Sequence, residues 1–75
     1  MDATIFGLPA SNFTGTSSQM KRNIGNALSE VKVLHGSPIK DKVALDEAYE
    51  LLVKLHRLAI KFHQEMEEEA AKEVD

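Results

Sequence analysis

The chain has 75 residues, twelve Asp and Glu against nine Lys and Arg, a net charge of −3 and no cysteine. This excludes several domains, disulfide bridges, thiolate metal sites and the net basic surface that general nucleic-acid binding needs. A chain this short buries only about 60% of its unfolded surface, so partner subunits are the expected source of further stability.

No apolar run approaches the ~20 residues that span a membrane. The N-terminus lacks the basic region and long apolar core of a signal peptide. With no cysteine to oxidise, the expectation is a soluble cytoplasmic protein, in the host cell cytoplasm if the chain is viral.

Residues 1–16 read as an N-terminal arm. Gly7, Pro9, Ser11, Asn12 and Gly15 break helix and strand periods. Ile5, Phe6, Leu8 and Phe13 are too apolar for a free tail. The arm therefore packs on helices of its own or a neighbouring subunit, or lies over a ligand site.

Residues 17–75 read as a helical hairpin domain, with helices over 17–35 and 38–72. Thr16 followed by Gln19 fits a capping box at the first helix. Met20, Ile24, Ala27, Leu28, Val31 and Leu34 then form one apolar face. Gly25 costs about 1 kcal/mol against Ala in a helix, and marks a point where another backbone comes close. Gly36 is placed just past the helix end, after His35. Ser37-Pro38 offers an N-cap and a first helical residue, leaving a link short enough to make the helices antiparallel neighbours.

The second helix carries a heptad seam of Leu45, Ala48, Leu52, Leu55, Ala59, Phe62 and Met66. At roughly 50 Å against roughly 28 Å, it outruns the first helix. The expectation is that Phe62 and Met66 lie beyond the first helix's reach. With Leu52 as the zero, the apolar residues spread from Leu51 and Leu58 near −110° to Val53 near +100°, taking in Tyr49 and Ile60. An arc of about 210–220° is about twice what one helix contact needs. The fold class is therefore an all-α antiparallel two-helix hairpin, with an N-terminal arm, that assembles into a helical-bundle oligomer. Its expected interface is Leu52, Leu55, Ala59, Phe62 and Met66, with His56 and His63 beside them inside the apolar arc.

His56 and His63 are one heptad apart, whereas two zinc ligands on one helix sit at i and i+4. No metal site and no cofactor are expected from them within one chain. Across a dimer axis they read as interface rim residues, or as a pH-sensitive or metal-bridged contact. His63 and Glu67 are four apart and can pair on one face. No nucleophile is indicated beside them, so no enzyme is expected.

The start of the first helix carries Phe13, Thr14, Ser17 and Ser18, followed by Lys21 and Arg22. Helix N-termini favour anions through free N–H groups and the helix dipole. Gly15 lets a ligand approach the backbone closely. The segment reads either as an anion site or as a helix cap beside a solvated basic face. Glu65, Glu67, Glu68, Glu69, Glu73 and Asp75 make the C-terminus acidic, a solvated helix end or a surface for a basic protein.

Ser37-Pro38, Lys40-Asp41-Lys42, Ala44-Leu45 and Ala59-Ile60, with Phe13-Thr14 ahead, carry a family resemblance. The chain resembles the hairpin domain of phage sponge proteins, which counter CBASS and Thoeris immunity by sequestering cyclic nucleotide signals. The resemblance covers less than half of the chain. The family has an aromatic and prolines after Phe-Thr, where this chain has Gly15 and Thr16, and its first helix is longer. No ligand-binding aromatic is therefore carried over. The resemblance implies an oligomer of hairpins, no catalysis, and nucleotide sites between subunits.

The expected function is a non-enzymatic, oligomeric binding module holding an anionic nucleotide ligand. Phe13 would stack, Thr14, Ser17 and Ser18 would donate hydrogen bonds, and Lys21 and Arg22 would neutralise charge. The alternative is an inhibitor or adaptor that offers its helix surface or acidic tail to a host protein.

Overall fold

A computed structural model describes residues 9–73 of the chain. Ile5, Phe6 and Leu8 of the expected arm, and Asp75 of the acidic end, lie outside the described residues. Those described form a short 3-10 helix (Ala10–Asn12) and two α-helices, α1 (Thr14–His35) and α2 (Lys42–Lys72). The Cα envelope measures 54 × 17 × 17 Å, a rod one hairpin thick.

Helix α1 starts three residues earlier than the Thr16–Gln19 pattern suggests. The chain is already turning before it: Phe13 N–H donates to Ala10 O at 2.9 Å and Ser17 N–H to Phe13 O at 2.9 Å. The Thr14 hydroxyl donates to Ser11 O at 3.1 Å, while Gln19 Nε2 donates to Asn23 Oδ1 at 2.9 Å. The capping box is not formed, because the 3-10 turn leads straight into the helix. At the other end Gly36 has φ −88°, so the helix stops without a left-handed glycine. Its N–H donates to Val33 O at 3.0 Å, a tightened last turn.

The link to α2 is longer than Ser37-Pro38 suggests. Asp41, not Ser37, caps α2: its Oδ1 accepts Ala44 N–H at 3.0 Å. Ser37 turns back instead, donating its hydroxyl to Leu34 O. Lys42 Nζ also reaches back, to His35 O at 2.9 Å and Ser37 O at 2.7 Å. A cation thus sits on the carbonyl end of α1, where the helix dipole favours it. The first residue of α2 closes the last turn of α1.

The helices lie antiparallel in one register. His35 meets Asp46, Gly25 meets His56, and Ser17 meets His63. The core is the line between them. Ile24, Leu45 and Ala59 are buried there, Ala59 to 1% exposure, and Ala10 is buried beneath the 3-10 turn. Ala59 lets the axes come close; a larger side chain would force them apart.

The expected length mismatch is filled from within the chain. Ser17 reaches His63, and beyond it the Glu73 carboxylate accepts Ala10 N–H at 2.6 Å and Ser11 N–H at 3.2 Å. Against the expectation, α1 itself reaches level with Phe62 and Met66, since Ser17 meets His63 and the helix begins at Thr14. Met66 is half-buried, and Phe62 stays exposed. The 3-10 turn extends the cover that α1 alone does not give.

Gly25 lies under a side chain and not against a backbone. A Cβ there would stand 3.7 Å from His56 Nε2, ordinary van der Waals contact. Gly25→Ala is therefore expected to stabilise the chain by about 0.5–1 kcal/mol through helix propensity alone. A thermal melt reads this directly; a lower melting temperature would mean that His56 cannot share the space.

Candidate functional site

The six residues at the head of α1 do not converge on one point. Thr14, Ser18, Lys21 and Arg22 fall within about 100° of one another around the helix. Thr14, Ser18 and Lys21 are half-exposed and Arg22 is exposed, so this face is open to a ligand. Phe13 lies about 100° away from Thr14 and turns to the other side of the hairpin. It is exposed there, on the side that Met20 and Leu34 share.

Ser17 points into the helix contact. It is 9% exposed, and its hydroxyl lies 3.1 Å from Thr14 O and 2.7 Å from His63 Nδ1. The other ring nitrogen, Nε2, lies 3.5 Å from Glu67 Oε1. Serine, imidazole and carboxylate are thus in a chain, the order of groups in a hydrolytic triad. Its surroundings differ from such a site. Ser17 N–H is taken by Phe13 O, so it cannot serve a developing oxyanion. The hydroxyl is covered by α2, so a substrate carbonyl reaches it only if the helices part.

A hydroxyl has one proton. Given to Thr14 O, it leaves Ser17 Oγ as the acceptor for an Nδ1–H of His63. Nε2 then carries a second proton for Glu67 only in the imidazolium form. Either way, the contact pins the head of α1 to α2. His35–Asp46 at 2.7 Å does the same at the turn end, and His56 over Gly25 in the middle.

His56 and His63, expected at the subunit boundary, thus both have partners inside their own chain. The sequence held one signal for this. Gly25 makes room for a ring opposite, and the separation from His56 to His63 matches two turns of α1 back to Ser17. Among the described residues, no group of three or more His, Asp or Glu is placed to hold a metal ion. No buried side-chain polar atom there lacks a partner.

The ion pairs among the described residues are His35–Asp46, His63–Glu67 and Lys72–Glu69. Neither Lys21 nor Arg22 takes part in them. Farther along the hairpin an open groove runs along α2 between Tyr49, Glu50, Val53, Lys54 and Arg57. Lys32 Nζ stands 5.8 Å from the Tyr49 ring centroid. By helix register the groove runs from roughly 4 Å (Arg57) to roughly 16 Å (Tyr49) along the axis from Lys21. No helix among the described residues is long and apolar enough to cross a membrane.

No protein-family model, curated protein or solved structure matches the chain.

Proposed function

We propose that the chain is a non-enzymatic, self-assembling binding module that sequesters an anionic nucleotide signal, in the manner of the phage sponge proteins it resembles. The observation that carries this reading is the open face of Thr14, Ser18, Lys21 and Arg22. Two cations stand there, outside the ion pairs of the described residues, beside two hydroxyls at the positive end of a helix. Hydroxyls and cations together suit a phosphate, which accepts several charge-assisted hydrogen bonds at once. Ser17 is not part of the site, because its hydroxyl already serves Thr14 and His63. Phe13 is left out of it, because it lies about 100° from Thr14 and about 180° from Arg22 around the helix.

Binding is read by thermal shift against a panel of cyclic mono-, di- and trinucleotides. A ligand at a hundred times its Kd stabilises by about 2.7 kcal/mol. For a domain of this size that raises the melting temperature by roughly 10–20 °C. One panel member should produce such a shift. Lys21→Ala with Arg22→Ala should abolish it while leaving the mass of the assembly unchanged. Absence of any shift, or a shift that survives the double substitution, removes this site.

A second reading rests on the far end of α2. Glu65, Glu67, Glu68 and Glu69 are exposed there; among the described residues Glu69 is paired with Lys72, and Glu67 lies beside the His63 imidazole. An inhibitor or adaptor would offer this end to a basic host protein. Silence across the nucleotide panel, with capture of a host protein that is lost on replacing these glutamates by Gln, would favour it.

A further inference from the structure

One long side of the hairpin carries apolar side chains that nothing among the described residues covers. On α2, Leu51, Leu55, Leu58 and Phe62 are between 39% and 59% exposed. Their spacing of four, three and four makes one stripe. On α1, exposed Phe13, Met20 and Leu34 and half-buried Ala27 follow one another seven apart. Each stripe stands about 90° from the line of helix contact, and in the same rotational sense. Because the helices run antiparallel, that shared sense brings both stripes to the same side of the hairpin. Thr14, Ser18 and Lys21 occupy the opposite side.

The area is that of an interface. Taking on the order of 200 Å² for a fully exposed large side chain, the seven leave roughly 600 Å² free. That is the upper end of the largest patch on an ordinary monomer, about 300–600 Å². It approaches the ~800 Å² per partner of a standard protein interface before any rim residue is counted.

The spacing says what covers it. Leu51 and Phe62, and likewise Leu55 and Leu58, are centred between residues 56 and 57. Phe13 and Leu34, and likewise Met20 and Ala27, are centred between residues 23 and 24. The contacts Gly25–His56 and Ser17–His63 set these two centres across from one another, within about one residue or 1.5 Å. Two stripes on two helices thus share one centre of symmetry, as an isologous contact requires.

We propose that this face takes a second copy of the chain, antiparallel, about a two-fold axis that crosses both helices at that shared centre. Leu55 packs on Leu58 of the second copy and Leu51 on its Phe62. On α1, bulky Met20 meets small Ala27, and Phe13 meets Leu34, so large and small side chains interleave. The result is a four-helix bundle with the Thr14–Lys21 faces outward on both sides. The axis also brings Glu47 toward Glu65 of the second copy. Both are exposed, where a like-charge contact costs little. The inference rests on the self-assembly in the reading above, and not on its ligand.

Light scattering at low micromolar concentration should give at least a dimer mass. Leu58→Glu should weaken association on the order of a hundredfold, since it buries a charge at the centre of the contact. Val43→Glu, on a residue 76% exposed and pointing away from the face, should leave the mass unchanged. Cross-linking settles the case even if Leu58→Glu fails to fold. The chain has no cysteine. An equimolar mixture of Leu55→Cys and Leu58→Cys chains should oxidise to a covalent dimer, and Val43→Cys chains should not. An oligomer that neither responds to Leu58→Glu nor cross-links from the mixture overturns this face and leaves self-assembly standing. A clean monomer overturns both.

Discussion

Ile24→Ala is expected to cost about 2–4 kcal/mol, a fall of roughly 10–30 °C in melting temperature. Ile24 is the one large aliphatic side chain of α1 that is buried among the described residues. It sits beside Gly25, where His56 crosses, so it fills the middle of the helix contact. Removing its outer carbons leaves a space that the two helices cannot close, because Ala59 already holds them as near as side chains allow. A hairpin of this size has only a few kcal/mol to lose. The helical circular-dichroism signal should therefore fall well below the wild-type value at room temperature. Met20→Ala, on an exposed neighbour, should melt much closer to wild type wherever the chain is dilute enough to be unassociated. Equal losses from the two would show that the helix contact is not centred on Ile24.

The second large effect is a coupling. Ser17→Ala should cost about 1–3 kcal/mol, because it strands the Nδ1 of a His63 side chain that is only 14% exposed. His63→Leu removes the polar partner and puts an apolar group against the same surface. The double variant should therefore lose less than the two single losses combined, by about 1 kcal/mol or more. Denaturant titration of the four chains gives the cycle. Losses that add within about 0.5 kcal/mol would mean that Ser17 and His63 do not act together.

Helix α2 was legible because its signal is dense. A seven-residue repeat with no glycine or proline leaves one outcome, and the end at Lys72 follows from the same run. The start was misread for a local reason. Ser37-Pro38 is a sound N-cap pair in isolation. Here Lys42 pulls the chain back onto the end of α1, and Asp41 is then the carboxylate placed for Ala44. That outcome depends on Lys42 docking on the last carbonyls of α1, a contact that a Ser-Pro cap pattern does not encode.

The histidines carry the same lesson. His56 and His63 lie in the apolar arc of α2, but periodicity does not say which neighbour an arc faces. The register through Gly25 and Ser17 does, and it turns them toward α1. Leu51 and Leu58, read from the sequence as flanks that widened the seam, hold the open stripe. Leu52 and Ala59, read as interface, lie on the side facing α1. At the head of α1, the sequence placed Phe13, Ser17 and Lys21 together because they are near in number. Ser17 is instead taken up in the contact with His63, and Phe13 stands about 180° from Arg22 around the helix.

The clamp of Glu73 on Ala10 and Ser11 bears on how the rod closes. Every cross-contact bridges the same turn, so sequence separation grows steadily toward the open end. It is 11 residues for His35–Asp46, 46 for Ser17–His63 and 63 for Ala10–Glu73. Closing the longest of these loops costs about 1.5 kcal/mol more chain entropy than closing the shortest. The entropically cheap order is a zipper that starts at Lys42 and ends at Glu73. The clasp that joins the two ends of the described chain is then the last contact made and the first released.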